Sequence, residues 1–515
     1  MRTEEIKSKK SGFVKFDHIS QSKSEVNHSS ALFFVVESEI KNTKTELCFL
    51  NYWRLKREVT DLTGRITLRN LSGEPIFEEE FKVVELKAHA IKLSPMLISQ
   101  GLEEFTGTAE LEFFSKVNLF VPYPAVIVRY SGDDWHTGMH STARYYYKDS
   151  GDPQESIELE QHSVESNITL FSEPGISNQV ILHNGVSDSL NESIALVVTN
   201  HLGKQLKAVL PELKMGPRET ICISVDDHID YKPFLYGKRG MLTVEYSSIG
   251  VFPRIMYLNK TLEGEFSVEH SNFGQSEDAH LDCLPTTQPD RNLLFSFPVL
   301  PEGYDTSIDI FPTYPVFNSP YTININSEDF EGNNLSTKEI LLDPKNPFLQ
   351  YNFEPQNNTS NIKIDYMNPE KLPNRFHTAI NYKHKDSLLP GITLDGPLPK
   401  TGRPIGTRWC PFFWDLKNVN TRIIISARTF DPSTKDDIIS VNFELFGESE
   451  EERLSFERKM TQRQSLELNI REVLSTSDWT GNYGWAYMTF NPSSMFNVYF
   501  LSEKGDKSIM CDHAF

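Results

Sequence analysis

A short cassette recurs along this chain at constant internal spacing, and repetition of that kind constrains the fold more than any single residue can. Asn70-Leu71-Ser72-Gly73 is followed by Pro122-Tyr123-Pro124, then Arg129-Tyr130, then His140-Ser141. Asn200-His201-Leu202-Gly203 is followed by Phe252-Pro253-Arg254 and His270-Ser271-Asn272. The step from Gly73 to His140 is 67 residues, the step from Gly203 to His270 is also 67, and a fainter last copy spans 66 from Gly447 to His513. Equal spacing means that one folding unit has been used several times. A more divergent copy lies between them. There Tyr321, Ile323 and Ile325 alternate before Gly332, and Pro373-Asn374-Arg375-Phe376-His377 resembles the proline–arginine part of the cassette.

The units are built of strands. In Thr108–Phe113 the apolar Ala109, Leu111 and Phe113 alternate with Thr108, Glu110 and Glu112. Successive side chains on a strand point to opposite faces, so this segment is expected to be half-buried with one face in water. Leu242, Val244 and Tyr246 repeat the pattern in the next unit. Ile66 and Leu68 hold the same positions before Gly73 as Leu196 and Val198 hold before Gly203. A shared phase matters because a slip of one residue would turn every apolar side chain to the wrong face. Helical periodicity is weak. Glu46–Lys56 reads as one long strand, and Glu448–Gln464 as a short helix or two strands. The chain is rich in Phe (34) and Tyr (19), which suit a pleated surface.

Short strands separated by turn residues, without long intervening helices, predict an all-β chain of tandem immunoglobulin-like antiparallel β-sandwiches, three to four units packed in series. At 515 residues the chain exceeds one core. The expected division is a flexible arm over 1–30, then sandwiches over 31–155, 156–285, 286–420 (with a long aromatic loop) and 421–515. The immunoglobulin-like resemblance is architectural and brings no functional residues with it.

Composition excludes some functions. A formal net charge of −20 repels phosphate backbones and anionic lipid, so neither nucleic acid nor membrane is an expected partner. The five cysteines, Cys48, Cys222, Cys283, Cys410 and Cys511, are far apart and form no CxxC pair. That argues against a disulfide framework and for thiols in a reducing compartment. Met1–Ser24 is polar, with no apolar signal region, and no apolar run approaches the roughly 18–20 residues that span a bilayer. The expected location is cytoplasmic. Common catalytic signatures such as GxSxG, HExxH, the P-loop and the dinucleotide-binding glycines are missing.

Candidate sites remain. Arg129 to His140 gathers Asp133, Asp134, Trp135 and His136 around a glycine-bounded turn. His136 and His140 are four apart, hence on one face of a strand. With Asp134 they would make a two-histidine, one-carboxylate site suited to zinc or iron. The structural reading of the same residues is a hairpin tip whose polar groups serve the turn and whose Trp135 covers the end of a sandwich. The recurrent His140, His270, His377 and His513 belong to different units, so each is expected to fix its own domain edge by hydrogen bonding. Arg129, Arg254 and Arg375 follow prolines and are expected to pair with acidic side chains. In Gly402–Trp414, the residues Arg408, Trp409 and Trp414 form either a stacking platform for a sugar or partner side chain, or a buried mini-core.

The function expected on this basis is a non-enzymatic binding or scaffolding protein that recognises a glycan or a protein partner and needs no cofactor. The alternative is a metal-dependent hydrolase, with zinc or iron held near Asp133–His140.

Overall fold

The computed structural model describes residues 27–515 apart from 117–124, 141–142, 147–159, 192, 253, 274–292, 301–302, 313–319, 344–348, 356–357, 368–375, 390, 396–404, 428–432, 495 and 506–507. The expected arm, Arg375 and Cys283 therefore lie outside the described residues, apart from the last few positions of the arm.

The first unit shows the plan. Its strands are β1 (Asn27–Ser38), β2 (Lys44–Leu50), β3 (Leu62–Asn70), β4 (Pro75–Val83), β5 (Ala88–Lys92), β6 (Glu104–Ser115), β7 (Val126–Ser131) and β8 (His136–His140). They form two antiparallel sheets of order β1-β6-β3-β4 and β5-β2-β7-β8. Alternation fixes the register. Ala31 pairs with Leu111 and Phe33 with Ala109, and all four are buried in one cluster with Leu47, Phe49 and Val128 of the second sheet. The expected long strand over Glu46–Lys56 breaks at Asn51. Its side chain accepts the Arg54 N–H and starts the helix Tyr52–Arg57, a Ser/Thr/Asp/Asn-type N-cap.

Three further sandwiches repeat the plan. Counting eight principal strands in each, the first, sixth, third and fourth make one sheet, and the fifth, second, seventh and eighth make the other. These strands run from Glu160 to His270, from Leu293 to Asp395, and from Ile405 to His513. The second sandwich adds a short pair, Ser189–Asn191 with Leu213–Met215, and an edge strand, Asn272–Phe273. The protein is thus all-β, a tandem array of four antiparallel sandwiches.

The sandwiches pack in series, as expected, and the series also closes on itself. The second sheet of each sandwich packs against its predecessor, and the first sandwich packs against the fourth. Ile181, Met256, Leu258, Phe266 and Val268 of the second sandwich join the core of the first. Ile424, Tyr499, Leu501 and Ile509 of the fourth join the core of the third. Cys48, Leu50, Ala88 and Ile127 of the first join the core of the fourth. The joint between second and third is more polar: Arg239 grips Asp309 with two hydrogen bonds of 2.8 and 2.7 Å.

The half-wet reading of Thr108–Phe113 is overturned. Thr108, Glu110 and Glu112 are buried along with their apolar neighbours. The glutamates are tolerated there because Arg69 and Arg65 reach them, and His28 also meets Glu112 at 3.0 Å. The aromatic segment is also corrected. Ile405–Phe413 is no loop of the third sandwich but the first strand of the fourth, at the edge of its sheet. Pro411 is admissible on an edge strand, where one row of N–H groups goes unpaired. Glu448–Gln464 contributes the strand Arg453–Thr461 and no helix.

Candidate functional site at the convergence of the eighth strands

The eighth strands are His136–His140, Phe266–His270, Ile392–Asp395 and Ser508–His513. Each is a sheet edge, and each touches the eighth strand of the next sandwich round the ring. An edge strand carries a row of backbone groups without ladder partners, and burial makes leaving them unpaired costly. Side chains of the adjoining eighth strand supply the partners. The Val268 N–H donates to Thr137 Oγ1 at 3.2 Å, and the Thr393 N–H donates to the Glu269 carboxylate. The His136 N–H donates to Ser508 Oγ at 2.8 Å and the His140 N–H to Asp512 Oδ2 at 3.0 Å.

This convergence brings three of the four recurrent histidines together. The His140 ring lies 4.7 Å from that of His270 and 4.8 Å from that of His513. His140 Nδ1 also meets Asp512 Oδ2 at 2.7 Å. His140, Asp512 and His513 each offer one ligand-type atom, and these atoms lie within 4.8 Å of one another. Burial alone would raise the Asp512 carboxyl, but the neighbouring His140 and His513 more than offset it and hold Asp512 well below its usual range. Burial pushes His270 far down, helped by His140 and Arg254. It lowers His513 too, against the pull of Asp512. A small pocket opens beside His140, lined by Phe34, Met139, His183, Arg254 and Met256.

The residues expected to form the metal set with His140 go elsewhere. Asp133 and Asp134 are exposed, and Asp133 accepts from Asn42. His136 Nε2 donates to the Ser502 carbonyl at 2.8 Å, and burial pushes its pKa far down. Trp135 is buried against Phe266 of the second sandwich, ring centroids 4.9 Å apart. Arg129 pairs with Glu46 of its own unit at 2.9 Å and lies over the Phe413 ring. His377 sits on the seventh strand of the third sandwich, opposite Phe311, away from the position its three counterparts hold.

Trp409 and Trp414 share no platform. Trp414 is buried, and its Nε1–H donates to the Gly481 carbonyl at 2.7 Å. Trp409 is half-buried between Tyr52 and Phe515, with the Lys56 amine 3.9 Å from its ring centre. Five residues apart, the two tryptophans start on opposite faces of an extended chain. Arg408 donates to the carbonyl of Thr407. The decisive side chains that sequence reading left out are Asp512 and Glu269. Their signal was an acidic residue directly before a recurrent histidine, in Glu269-His270 and in Asp512-His513.

No known family and no curated protein matches the chain. Among solved structures it is similar to a Streptomyces avermitilis α-L-rhamnosidase complexed with L-rhamnose: 9% identity, 87% of this chain, 54% of that one, TM-score 0.15. A second is a glycosyl hydrolase family 2 member from Bacteroides cellulosilyticus: 7% identity, 94% of this chain, 92% of that one, TM-score 0.10. The chain spans about half the length of the rhamnosidase. Likeness at this level carries no argument about activity. Among the described residues, no helix is long and apolar enough to cross a membrane.

Proposed function

We propose that this chain is a non-enzymatic binding or scaffolding protein, a closed ring of four β-sandwiches that presents its outer surface to a protein or glycan. One observation supports this reading above others: the side chains best suited to chemistry are spent on structural contacts, within a sandwich or between neighbours. His136 holds Ser502, Arg129 holds Glu46, Trp135 fills the seam with Phe266, and the Trp414 N–H is bonded. What faces outward is the fourth strand of each sandwich, such as Gln205–Leu210, whose residues alternate exposed and half-buried. The net charge of −20 favours partners other than nucleic acid and anionic membrane. A reducing, cytoplasmic location is supported by Cys48 and Cys410, which are buried and not in disulfides.

The reading is tested by incubating the purified chain with chromogenic esters, phosphates and glycosides, with and without added Zn²⁺ or Fe²⁺, beside a glycan-array screen. The expected outcome is no turnover above the blank. Metal-dependent turnover that disappears in His140→Ala would overturn it in favour of a hydrolase.

A further inference from the structure

We propose that the seam where the fourth sandwich closes onto the first binds one divalent transition-metal ion, of the zinc class, through His140, Asp512 and His513. Two imidazoles and one carboxylate are the donor types zinc and its neighbours prefer. The three come from two sandwiches and from positions 372 residues apart, so the ion would clasp the ring at its closing joint.

The arrangement around the donors is that of a held ligand set. Asp512 is fixed at both oxygens: Oδ1 accepts the His513 N–H at 2.7 Å, and Oδ2 accepts the His140 N–H at 3.0 Å. His513 Nδ1 lies 3.3 Å from the Ala514 carbonyl. A carbonyl only accepts, so Nδ1 carries the hydrogen, and in the neutral ring Nε2 keeps its lone pair. That lone pair stands 3.9 Å from Asp512 Oδ1, acceptor facing acceptor. Orientation of a ligating histidine by a carbonyl on its other nitrogen is the usual outer support of a metal site.

Distances leave room for an ion. Tetrahedral zinc with bonds near 2.0–2.1 Å holds its ligand atoms about 3.3 Å apart. His513 Nε2 stands 3.9 Å from Asp512 Oδ1 and His140 Nδ1 2.7 Å from Asp512 Oδ2, and with one ligand atom from each residue the set spans up to 4.8 Å, so the widest gap must close by up to about 1.5 Å while the His140–Asp512 contact opens by about half an ångström. Both are side-chain adjustments. His513 keeps 37% of its side chain exposed, which gives an entry path and a position for water. The site differs from a hydrolase centre at Asp133–His140, since neither His136 nor Asp134 belongs to it. It is also independent of the scaffolding reading, because a clasp needs no turnover.

The test is calorimetric titration of the chelator-treated full chain with ZnCl₂, and with CoCl₂ followed by visible absorption. One ion per chain is expected, with cobalt bands of a low-symmetry nitrogen–oxygen site. His513→Gln should weaken binding at least about 10-fold and Asp512→Asn should abolish the bands, whereas His136→Ala should keep the stoichiometry. His513 is partly exposed, so its variant is expected to fold, and circular dichroism checks this. Absence of stoichiometric binding at micromolar zinc, or unchanged affinity in folded His513→Gln, would overturn the proposal.

Discussion

The backbone N–H of Ala88 donates to the carbonyl of Gly447 at 2.8 Å, tying the fifth strand of the first sandwich to the turn after the third strand of the last. Equivalent bonds run from Thr220 to Leu71 at 2.8 Å and from Ser465 to Phe330 at 3.0 Å. Three of the four joints therefore use the same hairpin, the one that carries the recurrent glycine. Gly73 has φ +84°, and a Cβ there would lie 2.3 Å from the Pro217 carbonyl oxygen of the next sandwich. At Gly332 the corresponding approach is 2.2 Å, to the Arg463 carbonyl oxygen.

Gly73→Ala should consequently destabilise more than its backbone angle alone requires. Gly101 is the control, with φ +73° and nothing within 4 Å of a Cβ. Gly101→Ala should cost about 1–2 kcal/mol, the penalty for a left-handed residue with a side chain. Gly73→Ala should cost about 1–3 kcal/mol more, the usual range for overpacking. Urea denaturation of both variants measures the difference, and equal losses would show that the joint gives way freely.

The repetition was legible because glycine and histidine mark positions whose geometry is local: a turn and a strand end. What those positions touch was not legible. The partner of Gly73 is Pro217, and the partner of His140 is Asp512, in units far along the chain. A strand pattern announces one buried face but says nothing of what covers the other, where His28, Arg65 and Arg69 of the same sheet meet the glutamates and Ala143 bridges Leu32, which is why Glu110 and Glu112 were assigned to water. The aromatic run at Ile405–Phe413 was misplaced for a local reason: Gly406 and Pro411 are loop residues by habit, and only an edge position lets a strand keep them.

Arg239 and Asp309 should dominate the joint between second and third sandwiches. The Asp309 carboxylate is fully buried and also accepts from Asn381 Nδ2 at 2.8 Å. Removing a partner from a buried pair strands a charge, so Arg239→Ala should cost about 3–5 kcal/mol. Arg239→Ala combined with Asp309→Asn should recover part of that loss. A double-mutant cycle on thermal unfolding reads the coupling, and strictly additive losses would refute it.

Asp365, on the sixth strand of the third sandwich, gives a pH signature. Burial, only partly offset by Lys363 and reinforced by Glu328, pushes its carboxyl up to about 6, against 3.8 ordinarily. Between those values the folded chain holds a proton that the unfolded chain has released. This residue's contribution therefore falls as pH rises through that window. Asp365→Asn, which removes the charge, should raise stability at pH 7.5 by on the order of 1 kcal/mol and leave it unchanged near pH 4. Thermal midpoints at the two pH values decide it, and an equal shift at both would rule out ionisation as the cause.

Lys56 should behave as an abnormally acidic amine. It sits on the helix Tyr52–Arg57, over the Trp409 ring, and donates to Thr407 Oγ1 at 2.9 Å. Burial, then Arg408 and Arg57, bring it down to about 8 from an ordinary 10.5. An aromatic face favours the cation and works the other way, so the shift stands only if desolvation and like charge outweigh it. Reductive methylation with ¹³C-formaldehyde at limiting reagent should label Lys56 ahead of the other lysines at pH 8, and its methyl resonance should titrate near that value. Arg408→Gln removes the second cause and should move the midpoint upward. Between about 8 and 10.5 the unfolded chain binds the extra proton, so this group's contribution to stability rises with pH there. A midpoint near 10.5 in the unaltered chain would show that the ring, and not burial, governs the amine.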